Sequence, residues 1–153
     1  ACLGALDAWL VIRGIKTLPL RMEQHQKNAF AIAKWLQKQL RVQYVLYPGL
    51  ENHPGYEINK AQTTGFGGMI SFAVDSAETA RQILEGVKLI KFAESLGGTE
   101  SLITYPIRQT HTDLTAEECA EKGITDCLLR FSTGIEATQD LIDDLAQAFA
   151  AIE

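Results

Sequence analysis

The segment Leu128-Leu129-Arg130-Phe131-Ser132 reads as a β-strand. Strand alternation puts Leu129 and Phe131 on one face and Leu128, Arg130 and Ser132 on the other. An arginine set among apolar residues in a strand is costly unless its guanidinium has an anionic partner. Its planar fork suits a carboxylate bound through two parallel hydrogen bonds. Two partners are open at this point: a carboxylate from outside the chain, or an internal ion pair with a residue such as Glu136.

Working outward, Thr115 caps a helix that runs to Lys122 and is ended by Gly123. On the other side Thr138 caps a last helix to about Ile152. Leu141, Leu145, Ala148, Phe149 and Ile152 share its apolar face. Upstream, Ser101 to Tyr105 is a short strand stopped by Pro106, and Val87 to Phe92 is another. Ser76, with Thr79 at the third helical position, caps a helix over Ala77 to Gly86. Met69 to Val74 is a strand after the flexible Gly65-Phe66-Gly67-Gly68. Tyr56 to Gln62 forms a short helix. Val42 to Tyr47 is a strand ended by Pro48-Gly49.

Residues 3 to about 40 read as helix, with a kink or break where Gly14 and Pro19 fall. Trp9, Ile12 and Arg13 lie at helical spacing before the break. Ala29, Phe30, Ala33, Trp35, Leu36 and Leu40 recur every three or four residues after it. The sum is an α+β fold: a small, mostly antiparallel sheet of about four to five strands, with helices on one face and a long N-terminal helical segment.

Composition narrows the classes of function. At 153 residues the chain suits one domain with a sizeable core. Hydrophobic residues make up 46% and charged residues 22%, an ordinary globular balance. No apolar run approaches the roughly 20 residues of a membrane-spanning helix, so no membrane partner is expected. The net charge of −5 is spread among interleaved signs, with no basic stripe for nucleic acid. Cys2, Cys119 and Cys127 form neither a C-x-x-C pair nor a disulfide framework, and point to a reducing cytoplasm. His25, His53 and His111 are too scattered for a metal site. Gly65 to Gly68 lacks the spacing of either phosphate-binding fingerprint, and no nucleophile-elbow pattern is present. The chain starts Ala-Cys-Leu-Gly, without Met or a signal-peptide pattern, and reads as starting partway into a longer protein.

Glu94-Ser95-Leu96-Gly97-Gly98 is the second candidate for chemistry. Paired glycines let a backbone approach a ligand or take positive φ, and a serine beside them offers a hydroxyl. Gly-Gly also makes ordinary turns. Thr110-His111 lies in a polar loop that either faces a site or is simply solvated.

Taken in order, several stretches resemble the Cys/Met-metabolism family of PLP enzymes, which includes the cystathionine γ-synthases, γ-lyases and β-lyases and the methionine γ-lyases. They are Asp7-Ala8-Trp9-Leu10 through Arg13 to Met22, His25 and Asn28-Ala29; Tyr47-Pro48-Gly49-Leu50 with His53-Pro54; Gly65 to Phe72; Ala93 to Gly98 with Glu100-Ser101-Leu102; Thr110-His111; and Arg130 to Glu136. The matches span almost the whole chain.

The resemblance implies roles. Arg130 matches the arginine that clamps the substrate α-carboxylate. Ser95 matches the serine near the Schiff-base lysine and the substrate carboxylate, with a catalytic and substrate-binding role. Glu94 matches a glutamate beside the active-site entrance of γ-synthases and γ-lyases. Leu96 replaces the aromatic residue that β-lyases tend to carry, which favours the γ-class. The resemblance also divides the chain into an interdomain helical segment at 1–40 and a C-terminal substrate-clamping domain at 41–153. The PLP-binding domain, with its Schiff-base lysine, is expected upstream and outside this chain. No cofactor-binding or metal-binding residue is expected here, and the chain alone is expected to be inactive. The expected partners are a small amino-acid substrate, the PLP-binding domain and further copies in a homo-oligomer. A β-lyase, a methionine γ-lyase or a non-catalytic interaction module derived from this domain are the alternatives.

Overall fold

The computed structural model describes residues 2–152. Two helices come first, α1 (Ala5–Ile15) and α2 (Leu18–Leu36). They are followed by β1 (Val42–Leu46), α3 (Tyr56–Gln62), β2 (Met69–Val74) and α4 (Ala77–Gly86). Then come β3 (Lys91–Phe92), β4 (Leu102–Thr104), a 3-10 turn (Pro106–Arg108), α5 (Ala116–Glu121), β5 (Leu128–Ser132) and α6 (Thr138–Ala150). The strands form one sheet in the order β1-β2-β5-β4-β3. Every pairing is antiparallel except β3 with β4. The expected α+β class and mostly antiparallel sheet are found.

The register explains how one sheet carries both a core and a site. Ile70, Phe131 and Ile103 lie side by side across β2, β5 and β4. With Phe72, Val74 and Leu129 they join Ile32 and Leu36 of α2, Ile83 of α4 and Leu141 and Leu145 of α6 in the core. The amphipathic spacing of these three helices covers that face. The next cross-strand row, Ser71–Arg130–Thr104, points to the opposite face.

The expected break between Gly14 and Pro19 falls at Lys16-Thr17. Pro19 sits in the first turn of α2, where its missing N–H costs nothing. Arg21 donates from Nη2 to the Gly14 carbonyl at 2.8 Å, close to the end of α1. That helix buries none of its residues: Leu6 is 67% exposed, Trp9 56% and Ile12 58%. By contrast α2 places Ala29, Ile32, Ala33 and Leu36 wholly in the core, then stops at Leu36 rather than near residue 40.

Two expectations fail for identifiable reasons. Only Lys91–Phe92 of the segment Val87 to Phe92 is strand. The buried Asp144 carboxylate of α6 accepts hydrogen bonds from the backbone N–H groups of Lys88, Leu89 and Ile90, at 2.8 to 2.9 Å. Three successive donors aimed at one carboxylate cannot also serve a sheet ladder. Thr138 is not the cap of α6 either, because Ala137 holds that position. The Thr138 hydroxyl instead donates to Asn28 Oδ1 at 2.6 Å. The other caps are as read: Ser76 accepts from the Thr79 N–H, and Thr115 and Glu118 form a reciprocal capping box. Gly123, at φ +66°, closes α5.

Asp144→Ala removes the acceptor for three backbone donors, that of Ile90 buried, and is expected to cost about 2–4 kcal/mol in urea denaturation; a change within 0.5 kcal/mol would contradict the assigned role. A pH test follows from Tyr47, which is fully buried and donates its hydroxyl to the Gly67 carbonyl. Burial pushes its pKa up to about 12. The neutral form is therefore favoured by folding. Stability from this group is fully present below pH about 10 and drains away as pH rises through about 12. Tyr47→Phe is expected to flatten that alkaline loss, by roughly 2 kcal/mol across the window.

Candidate functional site

The site is built on the sheet face opposite α2, α4 and α6, where Ala73, Leu102, Thr104, Leu128 and Ser132 are also buried. Arg130 is central in β5, with Ser71 beside it on β2 and Thr104 on β4. The following row on the same face is Met69–Ser132–Leu102. The Arg130 Nε is buried and has no hydrogen-bond partner. Among the described residues no carboxylate lies within ion-pair distance of its guanidinium. A buried donor left unpaired costs on the order of 1–3 kcal/mol, so the orphaned Nε marks a place where an acceptor belongs.

The internal partner considered for it, Glu136, is engaged elsewhere. One Glu136 carboxylate oxygen accepts from the Ser101 N–H at 2.6 Å and the other from the Ser101 hydroxyl at 2.9 Å. The Ser101 Oγ in turn accepts the Gly134 N–H at 2.7 Å. Asn28, wholly buried in α2, donates to the carbonyls of Gly134 and Glu136 at 3.0 and 2.9 Å. His25 Nδ1 lies 2.6 Å from the Thr133 carbonyl, and the Thr133 hydroxyl donates back to the His25 carbonyl at 2.9 Å. Thus the turn that follows β5 is fixed from α2 on one side and from Ser101 on the other.

Residues 93 to 97 form an arch over the same sheet face. At its start the Ala93 carbonyl accepts from the Thr104 hydroxyl at 3.0 Å, and the Ala93 N–H donates to Ile103. At its end the Gly97 N–H donates to the Ser132 Oγ at 3.0 Å. Gly97 takes φ +75°, the left-handed conformation expected of one of the paired glycines. Between these ties Glu94, Ser95 and Leu96 are exposed, and the Glu94 and Ser95 side chains have no hydrogen-bond partner among the described residues. The two ties place the arch backbone on the Arg130 side of the sheet, and Glu94 and Ser95 lie between them. His111 lies apart, half-buried, with its Nδ1 2.7 Å from the Thr110 hydroxyl.

Sequence reasoning did not anticipate Asn28 or Asp144 as structural polar residues. An asparagine on the apolar stripe of α2 and an aspartate three residues after Leu141 were the available signals. Neither residue type by itself says which backbone it will serve.

Every lysine of the chain is exposed. A lysine that forms a Schiff base needs a desolvated, tuned pocket, and none of these eight has one. The fork of the Arg130 guanidinium, whose buried Nε has no partner within the described residues, has the geometry to bind a carboxylate. Among the described residues there is also no cluster of three His, Cys, Asp or Glu arranged for a metal ion, and no helix is long and apolar enough to cross a membrane.

The family model for Cys/Met metabolism PLP-dependent enzymes matches residues 1–150, and the chain belongs to that family. It is 51% identical to a cystathionine γ-lyase of Bacillus subtilis over 98% of this chain and 40% of the relative. A cystathionine γ-synthase of Haemophilus influenzae is 50% identical over 100% and 37%. A cystathionine β-lyase of Lactococcus lactis is 49% identical over 97% and 39%. The crystal structure of a cystathionine γ-lyase from Lactobacillus plantarum, complexed with L-serine, superposes with a TM-score of 0.93 at 41% identity, over 98% of this chain and 39% of that one. The chain therefore spans about two fifths of the length of the relatives it matches.

A methyl group at Gly134 would collide with the Thr99 and Glu100 backbone and the Glu136 carboxylate. Gly134→Ala is expected to destabilise by about 3 kcal/mol and to raise amide exchange at Ser101, measured by hydrogen exchange. Unchanged exchange would show that the turn is not locked as described.

Proposed function

We propose that this chain is the C-terminal, substrate-clamping domain of a PLP-dependent enzyme of the cystathionine γ-synthase/γ-lyase type, acting on sulfur amino acids. The observation that carries this reading is the unpaired, buried Nε of Arg130 on the sheet face opposite α2, α4 and α6. A guanidinium in that position supplies donors fixed by the strand backbone, and an amino-acid α-carboxylate offers the matching pair of acceptors. The ligand named for the Lactobacillus plantarum enzyme, L-serine, carries such a carboxylate.

Arg130 holds the substrate carboxylate and thereby limits rotation about the bond to Cα. Fixing that bond orients the Cα–H relative to the groups that react. Ser95, on the arch above, binds the substrate beside the clamp and takes part in proton handling. Glu94, at the exposed shoulder of the arch, guards the entrance. When bound, PLP supplies an electron sink; the lysine that attaches it belongs to the part of the parent protein beyond this chain. The chain by itself is then inactive, and its small-molecule partner is met only together with the cofactor domain. The parent works in the cytoplasm as a homo-oligomer.

The γ-type reading rests on Leu96 following Ser95. Identities of 51, 50 and 49% to a γ-lyase, a γ-synthase and a β-lyase do not separate the reaction types. Product analysis of the full-length protein given O-acyl-homoserine with cysteine, and separately cystathionine, does so.

Arg130→Lys keeps the charge and loses the fork. In the full-length, PLP-loaded protein it is expected to lower kcat/KM at least a hundredfold, about 3 kcal/mol of transition-state stabilisation. Near-normal kcat/KM would dismiss the clamp.

A further inference from the structure

Resting on the clamp reading above, we infer that Thr104 and Ser132 are positioning residues, which hold the Ser95 arch in register with Arg130. The arch has two polar ties to side chains, and both come from the face that carries the guanidinium. Thr104 is the direct cross-strand neighbour of Arg130 on β4, and its hydroxyl donates to the Ala93 carbonyl at 3.0 Å. Ser132 is two residues along β5 from Arg130, on the same face, and its Oγ accepts the Gly97 N–H at 3.0 Å.

Both side chains are almost fully buried, at 1% and 3% exposure, while the backbone groups they hold lie nearer the surface. The residues between the ties, Glu94 to Leu96, are exposed and make no side-chain hydrogen bond among the described residues. The path of the arch is therefore set at its ends. One end is fixed by the strand beside Arg130 and the other by the strand of Arg130 itself. Behind the Ser132 end lies a small cavity lined by Leu18, Met22, Met69 and Leu96. That empty space gives the arch room to sink or swing when the Ser132 tie is lost. Arg130 and the arch then form one unit, whose spacing is set by two hydroxyl groups that never touch substrate.

The test uses the full-length, PLP-loaded protein. Ser132→Ala and Thr104→Val each remove one tie with little change in volume. Each is expected to raise KM for the amino-acid substrate about fivefold to tenfold, the size of one lost buried hydrogen bond, with kcat lowered as well because the arch carries Ser95, and with cofactor loading intact. Ser132→Thr restores the hydroxyl and is expected to recover KM. Combined with Arg130→Lys, Ser132→Ala should add little further loss, because both act on the same bound carboxylate. Four results overturn the assignment: unchanged KM in both single variants, a loss that follows a fall in Tm and is not rescued by threonine, a kcat effect with KM unmoved, or full additivity with Arg130→Lys. If Ser132→Ala does not fold, Thr104→Val decides alone. Should Arg130→Lys itself keep normal kcat/KM, the clamp fails on that result, whatever the serine and threonine variants do.

Discussion

The Glu136 carboxylate is held by the N–H and hydroxyl of Ser101, and this leaves Arg130 without an internal partner. Much of the site's architecture follows from that choice. A glutamate six residues after an arginine could have neutralised it. Instead the Glu136–Ser101 pair, with Asn28 and His25 of α2, locks the turn that leaves β5. Breaking a satisfied buried network is costly, so the turn is rigid and β5 presents Arg130 from a fixed backbone. The protein thus tolerates the cost of one orphaned donor, where its neighbours are fully satisfied. Local violations of polar pairing concentrate at functional sites for this reason.

The two faces of the sheet divide the work. The row Ile70–Phe131–Ile103 is buried against α2, α4 and α6 and holds the fold together. One residue earlier in β5, the row Ser71–Arg130–Thr104 looks the other way. A register slip of one residue would exchange the two sets. The apolar row therefore fixes the position of the arginine as firmly as it fixes the core. On the proposed reading, substrate recognition takes its precision from hydrophobic packing on the far side of the sheet.

Much of this was legible in the sequence, and the failures have physical causes. Met69–Val74, Leu128–Ser132 and Ala77–Gly86 were readable because alternation, helical spacing and the Ser76 cap are local signals. Val87 to Ile90 was misread as strand because its apolar β-branched composition is also local, whereas the Asp144 carboxylate that turns it arrives from more than 50 residues away. The Thr138 hydroxyl was assigned to its own helix because caps are usually local. Asn28, 110 residues earlier, competes for it and wins. Arg130 stood out as a lone cation between apolar residues, but only the coordinates show that Glu136 is taken. The glycines beside Ser95 fitted an ordinary turn equally well, so only the family resemblance singled that serine out. The hydroxyls that support its arch were not legible, since Thr104 and Ser132 look like ordinary strand residues.

The helix α1 bears on how far the chain can act alone. Its apolar residues lie on all sides, and it buries none of them. A helix apolar all round normally lies inside a protein, and an isolated helix of eleven residues is marginal in water. The Arg21 contact to Gly14 joins it to α2, but it contributes no residue to the hydrophobic core. The chain spans about two fifths of its relatives. On the proposed reading the surface that covers α1 and the lysine that the site lacks lie in the same remaining part of the parent. The orphaned guanidinium and the uncovered helix are then two signs of one dependence. The first needs an acceptor that the cofactor domain helps to hold in place, and the second needs apolar surface.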